Sequence, residues 1–139
     1  MIRVFLDTNI LLSGLMFNGP EQKVLQMARK KEIRLILSDY VIQEAKIIIG
    51  RKFPSHETAL KLLLNEIDYE ISPIPTKEEV MSCQNVIRDK KDVPILVSAL
   101  KASPDFFITG DKDFDSKEIK KMLNVIQTRE FLNKVILTI

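Results

Sequence analysis

Cysteine is nearly absent from this chain. Cys83 stands alone, which excludes an internal disulfide, and no CxxC or Cys/His cluster is present to hold zinc, so a reducing compartment suits the sequence. Histidine is equally scarce: His56 is the only one, and its place near an expected helix start reads as ordinary surface rather than catalysis. Four Gly and six Pro scattered through 139 residues leave no flexible linker or disordered tail, and no internal repeat is visible. Apolar runs stay far below the roughly 20 residues of a membrane-spanning helix. The stretch Val4-Phe5-Leu6, ended by Asp7, is too short for a signal peptide, so a soluble, cytoplasmic protein is expected. Neither sign of charge dominates. A net charge of +2 permits a polyanionic partner without requiring one.

With 45% apolar and 29% charged residues, residues 1–139 are expected to form one globular domain with a real core. Ile2 to Leu6 is a short β-branched and aromatic run ended by a polar residue, the pattern of a buried strand. Val24, Leu25 and Ala28 fall at helical spacing within residues 21–32, and Arg34 to Leu37 reads as a second strand. Ser38 and Asp39 are capping residue types before a helix carrying Tyr40, Val41, Ile47 and Ile48. Ser55 opens a helix with Ala59, Leu60, Leu63, Leu64 and Ile67. Thr76 and Glu79 form a capping box for a helix running to about Arg88. Asp92 and Pro94 begin another, Ile95 to Ala102, since proline is tolerated in a first turn. Phe106 to Thr109 and Val125 to Gln127 complete the strands. The alternation predicts an α/β fold, a three-layer sandwich in which a mainly parallel central sheet of about four to five strands is flanked by helices.

In open parallel sheets the ligand site lies beyond the carboxyl ends of the strands. Asp7 follows the first strand directly and Asp111 lies two residues after Phe106 to Thr109, so both are expected at one edge. Asp92 opens the helix that feeds that last strand. Glu44 lies about six residues into the helix after the second strand, on a face shared with Tyr40, Ile47 and Ile48. Carboxylates gathered there repel, and one of them takes a raised pKa unless a cation compensates. A site of carboxylates and water suits Mg²⁺ or Mn²⁺ and leaves positions open for phosphate oxygens. Each acid also has a local explanation. Asp92 can be a helix cap, Asp7-Thr8-Asn9 and Gly110-Asp111-Lys112-Asp113 can be strand-to-helix turns, and Glu44 can pair with a buried cation. Their convergence on one predicted edge favours a site.

The motifs then show a family likeness. Phe5 to Leu15 (FLDTNILLSGL) resembles the opening of PIN-domain proteins, especially toxin components of toxin-antitoxin pairs of the VapC type. Ser38 to Glu44 (SDYVIQE), Asp92 to Leu100 (DVPILVSAL), Phe107 to Phe114 (FITGDKDF) and Thr128 to Leu132 (TREFL) resemble the later motifs in order. The likeness covers essentially the whole chain. It implies that Asp7, Glu44, Asp92 and Asp111 are the catalytic acids and hold one or two Mg²⁺ or Mn²⁺ ions, with Asp113 as a further metal ligand. It also implies that Asn9 and Thr109 orient waters or ligands. The implied activity is cleavage of RNA to 5′-phosphate and 3′-hydroxyl ends, and the implied partners are an RNA substrate, a cognate antitoxin and a second copy of the chain. Lys90, Lys91 and Lys112 flank the acidic motifs and are candidates for contacts to RNA phosphates.

Two rival functions are weighed against that one. A phosphatase of the aspartate-nucleophile type also begins with a strand and an Asp, but it needs a second Asp two residues on, and Asn9 stands there. A non-catalytic PIN-like scaffold that only binds partners draws on the leucines of residues 55–68, where Leu60, Leu62, Leu63, Leu64 and Ile67 span more than one helical face.

Overall fold

The computed structural model describes residues 1–87 and 89–138. Five strands, β1 (Arg3–Leu6), β2 (Arg34–Ser38), β3 (Tyr69–Ser72), β4 (Phe106–Ile108) and β5 (Val125–Ile126), pair in the order β3-β2-β1-β4-β5, and every pairing is parallel. Eight helices among the described residues connect and flank them: α1 (Thr8–Met16), α2 (Pro20–Arg29), α3 (Asp39–Lys52), α4 (Glu57–Glu66), α5 (Lys77–Cys83), α6 (Val93–Ala102), α7 (Lys117–Met122) and α8 (Thr128–Thr138). The expected three-layer α/β architecture is the one observed.

The sheet is covered on both faces. Val4, Phe5 and Leu6 of the central strand have no exposed surface, which is why that strand reads as an unbroken apolar run. Successive side chains of a strand point to opposite faces. Phe106 accordingly meets Phe131 of α8 edge-on, with centroids 5.3 Å apart, while Phe107 packs against Phe5 at 5.2 Å and Phe114 at 5.0 Å. Between α1 and α2 the helices touch closely because Gly14 lacks a side chain. A Cβ there would lie 2.5 Å from Leu25 Cδ1 and 3.0 Å from the Glu21 carbonyl oxygen.

Local signals place most helix starts. Ser38 caps α3 by accepting from the Val41 N–H at 3.0 Å, and the Thr76/Glu79 capping box opens α5. That helix ends at Cys83, short of the expected limit near Arg88, which lies outside the described residues. Beyond Cys83 the chain leaves the helix yet still packs, with Val86 against the core and Ile87 buried. The strand β3 was not expected from the sequence. Its Tyr-Glu-Ile-Ser has a polar residue at every second position and buries only Ser72, because it pairs with β2 alone at the sheet edge.

One expectation about helix faces needs correction. Ile47 is 53% exposed, and the buried face of α3 is Val41, Ile42, Ala45 and Ile49 instead. The leucines of α4 are mostly core: Leu60, Leu63 and the following Ile67 are buried, and only Leu62 stands out at 54% exposure. Among the described residues no helix is long and apolar enough to cross a membrane.

Candidate active site

The chain lays down β1, β2 and β3 in one direction, then returns to place β4 on the other side of β1. The switch point of the sheet therefore lies between β1 and β4, and the crevice beyond their carboxyl ends is where a ligand site belongs. Asp7 and Asp111 flank that crevice. Asp7 caps α1, its Oδ1 accepting from the Ile10 N–H at 3.1 Å. Its Oδ2 accepts a short hydrogen bond from the Thr109 hydroxyl, whose oxygen in turn accepts from the Asp111 N–H at 3.0 Å. Asp111 Oδ1 accepts from the Asp113 N–H at 2.9 Å. A single directed chain of hydrogen bonds thus ties the end of β1 to the loop after β4.

Asp7 is buried, and that burial raises its pKa to about 6 against the lowering effect of the Thr109 and Ile10 bonds; the charges of Asp111 and Glu44 push it up further. Glu44 is half-buried on α3, close enough for its charge to act on both Asp7 and Tyr40. Tyr40 is held above its ordinary value by burial first, then by Glu44, Asp92 and Asp89.

Asp92 occupies the N-cap position of α6, yet its side chain makes no capping bond. One of its oxygens, Oδ2, is buried without a hydrogen-bond partner. Desolvation raises the Asp92 pKa to about 7, joined by the charges of Asp111, Asp89 and Asp113 and by a hydrogen bond shared with Asp111. Oxygens of Asp89, Asp92 and Asp113 all lie within 4.8 Å of one another. Asp111 acts on both Asp7 and Asp92 and so links the two groups of acids.

The structure thus brings Asp7, Glu44, Asp92, Asp111 and Asp113 to one crevice, with Asp7, Glu44 and Asp111 outside the tight triad of Asp89, Asp92 and Asp113. The sequence reading missed Asp89. Asp89 and Asp92 are three residues apart across the 3-10 turn Lys90–Asp92, and in such a turn positions i and i+3 eclipse. That spacing was the available signal. Asn9 is exposed and lines an open cleft of about 580 Å³ together with Thr109 and Asp111. His56 stands in the turn before α4, edge-on to Phe53 at 6.4 Å.

The donor set fits a hard divalent cation. Every donor is a carboxylate oxygen, one of them buried and unpartnered, and two of the acids have pKa values raised by burial and by their neighbours' charge, which a cation would offset.

Comparison with known proteins bears on what the crevice belongs to. The sequence profile of the PIN domain matches residues 3–113, from the first residue of β1 to the last of these acids. The chain belongs to the PIN-domain family. No curated protein sequence matches it significantly. Among solved structures, this PIN domain is similar to VapBC2 from Rickettsia felis bound to a DNA fragment from their promoter, at 17% identity over 91% of this chain and 97% of that one, TM-score 0.63. It is also similar to PAE2754 from Pyrobaculum aerophilum (14% identity, 98% and 96% covered, TM-score 0.67) and to a toxin-antitoxin complex from Klebsiella pneumoniae (18% identity, 90% and 97% covered, TM-score 0.66). At these identities the likenesses establish the fold of the PIN domain.

Proposed function

We propose that this PIN domain is a divalent-metal-dependent endoribonuclease and the toxin of a toxin-antitoxin pair. The observation that carries the reading is Asp92: half-buried, uncapping, with one unpartnered oxygen and a pKa raised to about 7 among Asp111, Asp89 and Asp113. A carboxyl kept in that state is explained by a cation it is built to meet.

Asp7, Glu44, Asp92 and Asp111 would hold Mg²⁺ or Mn²⁺, with Asp113 as a further ligand and Asp89 beside it. Such an ion supplies positive charge where the phosphoryl oxygens gain negative charge and makes nearby water more acidic. The protein's own groups set positions. Thr109 and the first turn of α1 fix both oxygens of Asp7, and the Asp111 N–H fixes Thr109. Asn9 lines the cleft where it can orient water or substrate. Hydrolysis adds water to phosphorus and breaks the P–O3′ bond, and the 3′ oxygen takes a proton, leaving 5′-phosphate and 3′-hydroxyl ends.

The toxin assignment draws support from the family and from the VapBC2 and toxin-antitoxin complexes among structures of the same fold. Exposed Ile47 and Phe53, at α3 and its end, and Leu62 on the neighbouring α4 suit a face that meets an antitoxin or a second copy of the chain. The test is incubation of the purified protein with single-stranded RNA. Cleavage is expected with Mn²⁺ or Mg²⁺, with 5′-phosphate ends, and its loss is expected in EDTA. Full activity in chelator refutes the reading.

A further inference from the structure

The cleft beside Asp111 does not end at the acids. It shares Pro20 and Arg129 with two further clefts, of about 250 and 390 Å³, and Lys23 lines both of those. Because α2 packs against α8, the three clefts make one open trough running from the acidic crevice over the junction of these helices.

The charges along it are ordered. The near end meets the acidic crevice at Asp111, and Glu21 also stands on the wall of the first cleft. Two exposed cations follow: Arg129 in the first turn of α8, which lines all three clefts and so stands at their junction, and Lys23 in the first turn of α2, which lines the two further clefts. Neither appears in an ion pair among the described residues, a state shared with Arg51 and most of the lysines, and what sets these two apart is their place on the clefts that adjoin Asp111. An unmatched arginine and lysine beside a cleft that opens into the candidate active site ask for an anion.

We propose that Arg129 and Lys23 hold backbone phosphates of a single-stranded nucleic acid on one side of the bond being cut. The assignment rests on the nuclease reading above and adds to it the path of the substrate. A phosphodiester chain presents an anion at every nucleotide, so it can engage the cation-holding acids and Arg129 together, as cationic grooves that track single strands do. An isolated small anion cannot span both. The contact is to phosphate, so it positions the strand without reading its bases.

The test compares wild type with Arg129→Gln, Lys23→Gln and Arg129→Lys, all exposed positions at which folding is checked by circular dichroism. KM and kcat are measured on a single-stranded RNA oligonucleotide, together with the salt dependence of its binding by fluorescence anisotropy in Ca²⁺. Each Gln variant is expected to raise KM about fivefold with kcat unchanged, and to flatten the log–log salt slope by about 0.7. Arg129→Lys should recover most of the loss. Wild-type KM and slope in both Gln variants, in a protein that cleaves RNA, overturn the trough assignment alone. Unchanged RNA binding with lost binding of an acidic peptide overturns it in favour of a protein partner. A wild-type chain that neither binds nor cleaves RNA overturns the nuclease reading and the trough with it.

Discussion

Replacing Asp92 separates a helix cap from a metal ligand, because the two roles predict opposite signs of stability change. The carboxyl is held at about 7 against an ordinary 3.8, and at 1.36 kcal/mol per pH unit that gap would be worth about 4 kcal/mol for a fully buried group. Part of the carboxyl faces solvent, so screening reduces the strain of its ionised form to about 1–2 kcal/mol. At about pH 7.5 in EDTA, Asp92→Asn and Asp92→Ala should therefore both melt higher than wild type. For a chain of this length each kcal/mol moves the midpoint by about 3–5 °C, so a rise of about 3–10 °C is expected. Millimolar Mn²⁺ should reverse the order. Wild type gains about 2.7 kcal/mol at a hundredfold excess over its dissociation constant, and the variants gain less. A capping role predicts otherwise: Asn, a good cap, would match wild type, and Ala would lose about 0.5–2 kcal/mol with or without metal. Thermal melts of the three proteins in both buffers decide. An Ala variant destabilised equally in EDTA and Mn²⁺ refutes the reasoning.

The pH dependence of the metal-free protein follows from the same acids. Asp7 and Asp92 have folded pKa values of about 6 and 7, above the ordinary 3.8, so their contribution to stability is full below about 3.8 and is lost as pH rises through 6 and 7. Melting temperature in EDTA should fall from about pH 5 to about pH 8, and Mn²⁺ should flatten the fall; a metal-free midpoint that rises over this range contradicts the assignment. Gly14→Ala should destabilise the fold by about 1–3 kcal/mol, since Leu25 is buried and the Glu21 carbonyl cannot retreat. A urea titration showing an unchanged midpoint would mean that α1 and α2 separate at little cost.

Much of this was legible in the sequence, for physical reasons that differ from place to place. β1 was visible because burial on both faces leaves an unbroken apolar run, and α3 and α5 because Ser38 and Thr76 are caps with unambiguous chemistry. β3 was hidden because an edge strand need bury little, and Tyr69 to Ser72 does not stand out from a loop. For the site, Asp7 and Asp111 were readable from their places at strand ends. The bond from Thr109 to Asp7, and the parting of the acids into a tight triad, the pair Asp7 and Glu44, and Asp111 linking the two, depend on side-chain geometry that spacing does not carry. Asp89 was overlooked because its neighbours Lys90 and Lys91 make that segment look like a solvated charged turn.

The pairing of β1 with β4 sets a timetable for the newborn chain. Phe5 is matched to Phe107, and Asp7 to the hydroxyl of Thr109, at a sequence separation of 102. At a synthesis rate of about 5–20 residues per second, the first strand waits about 5–20 s for the segment that completes its neighbour. Until then one edge of Val4, Phe5 and Leu6 lacks its partner, an invitation to wrong pairing. The crevice likewise has only one wall, because Asp111 and Asp113 have not yet arrived. A ribosome-bound fragment ending before β4 would carry Asp7, Glu44 and Asp92 but lack Asp111 and Asp113, and so hold only part of the acidic crevice.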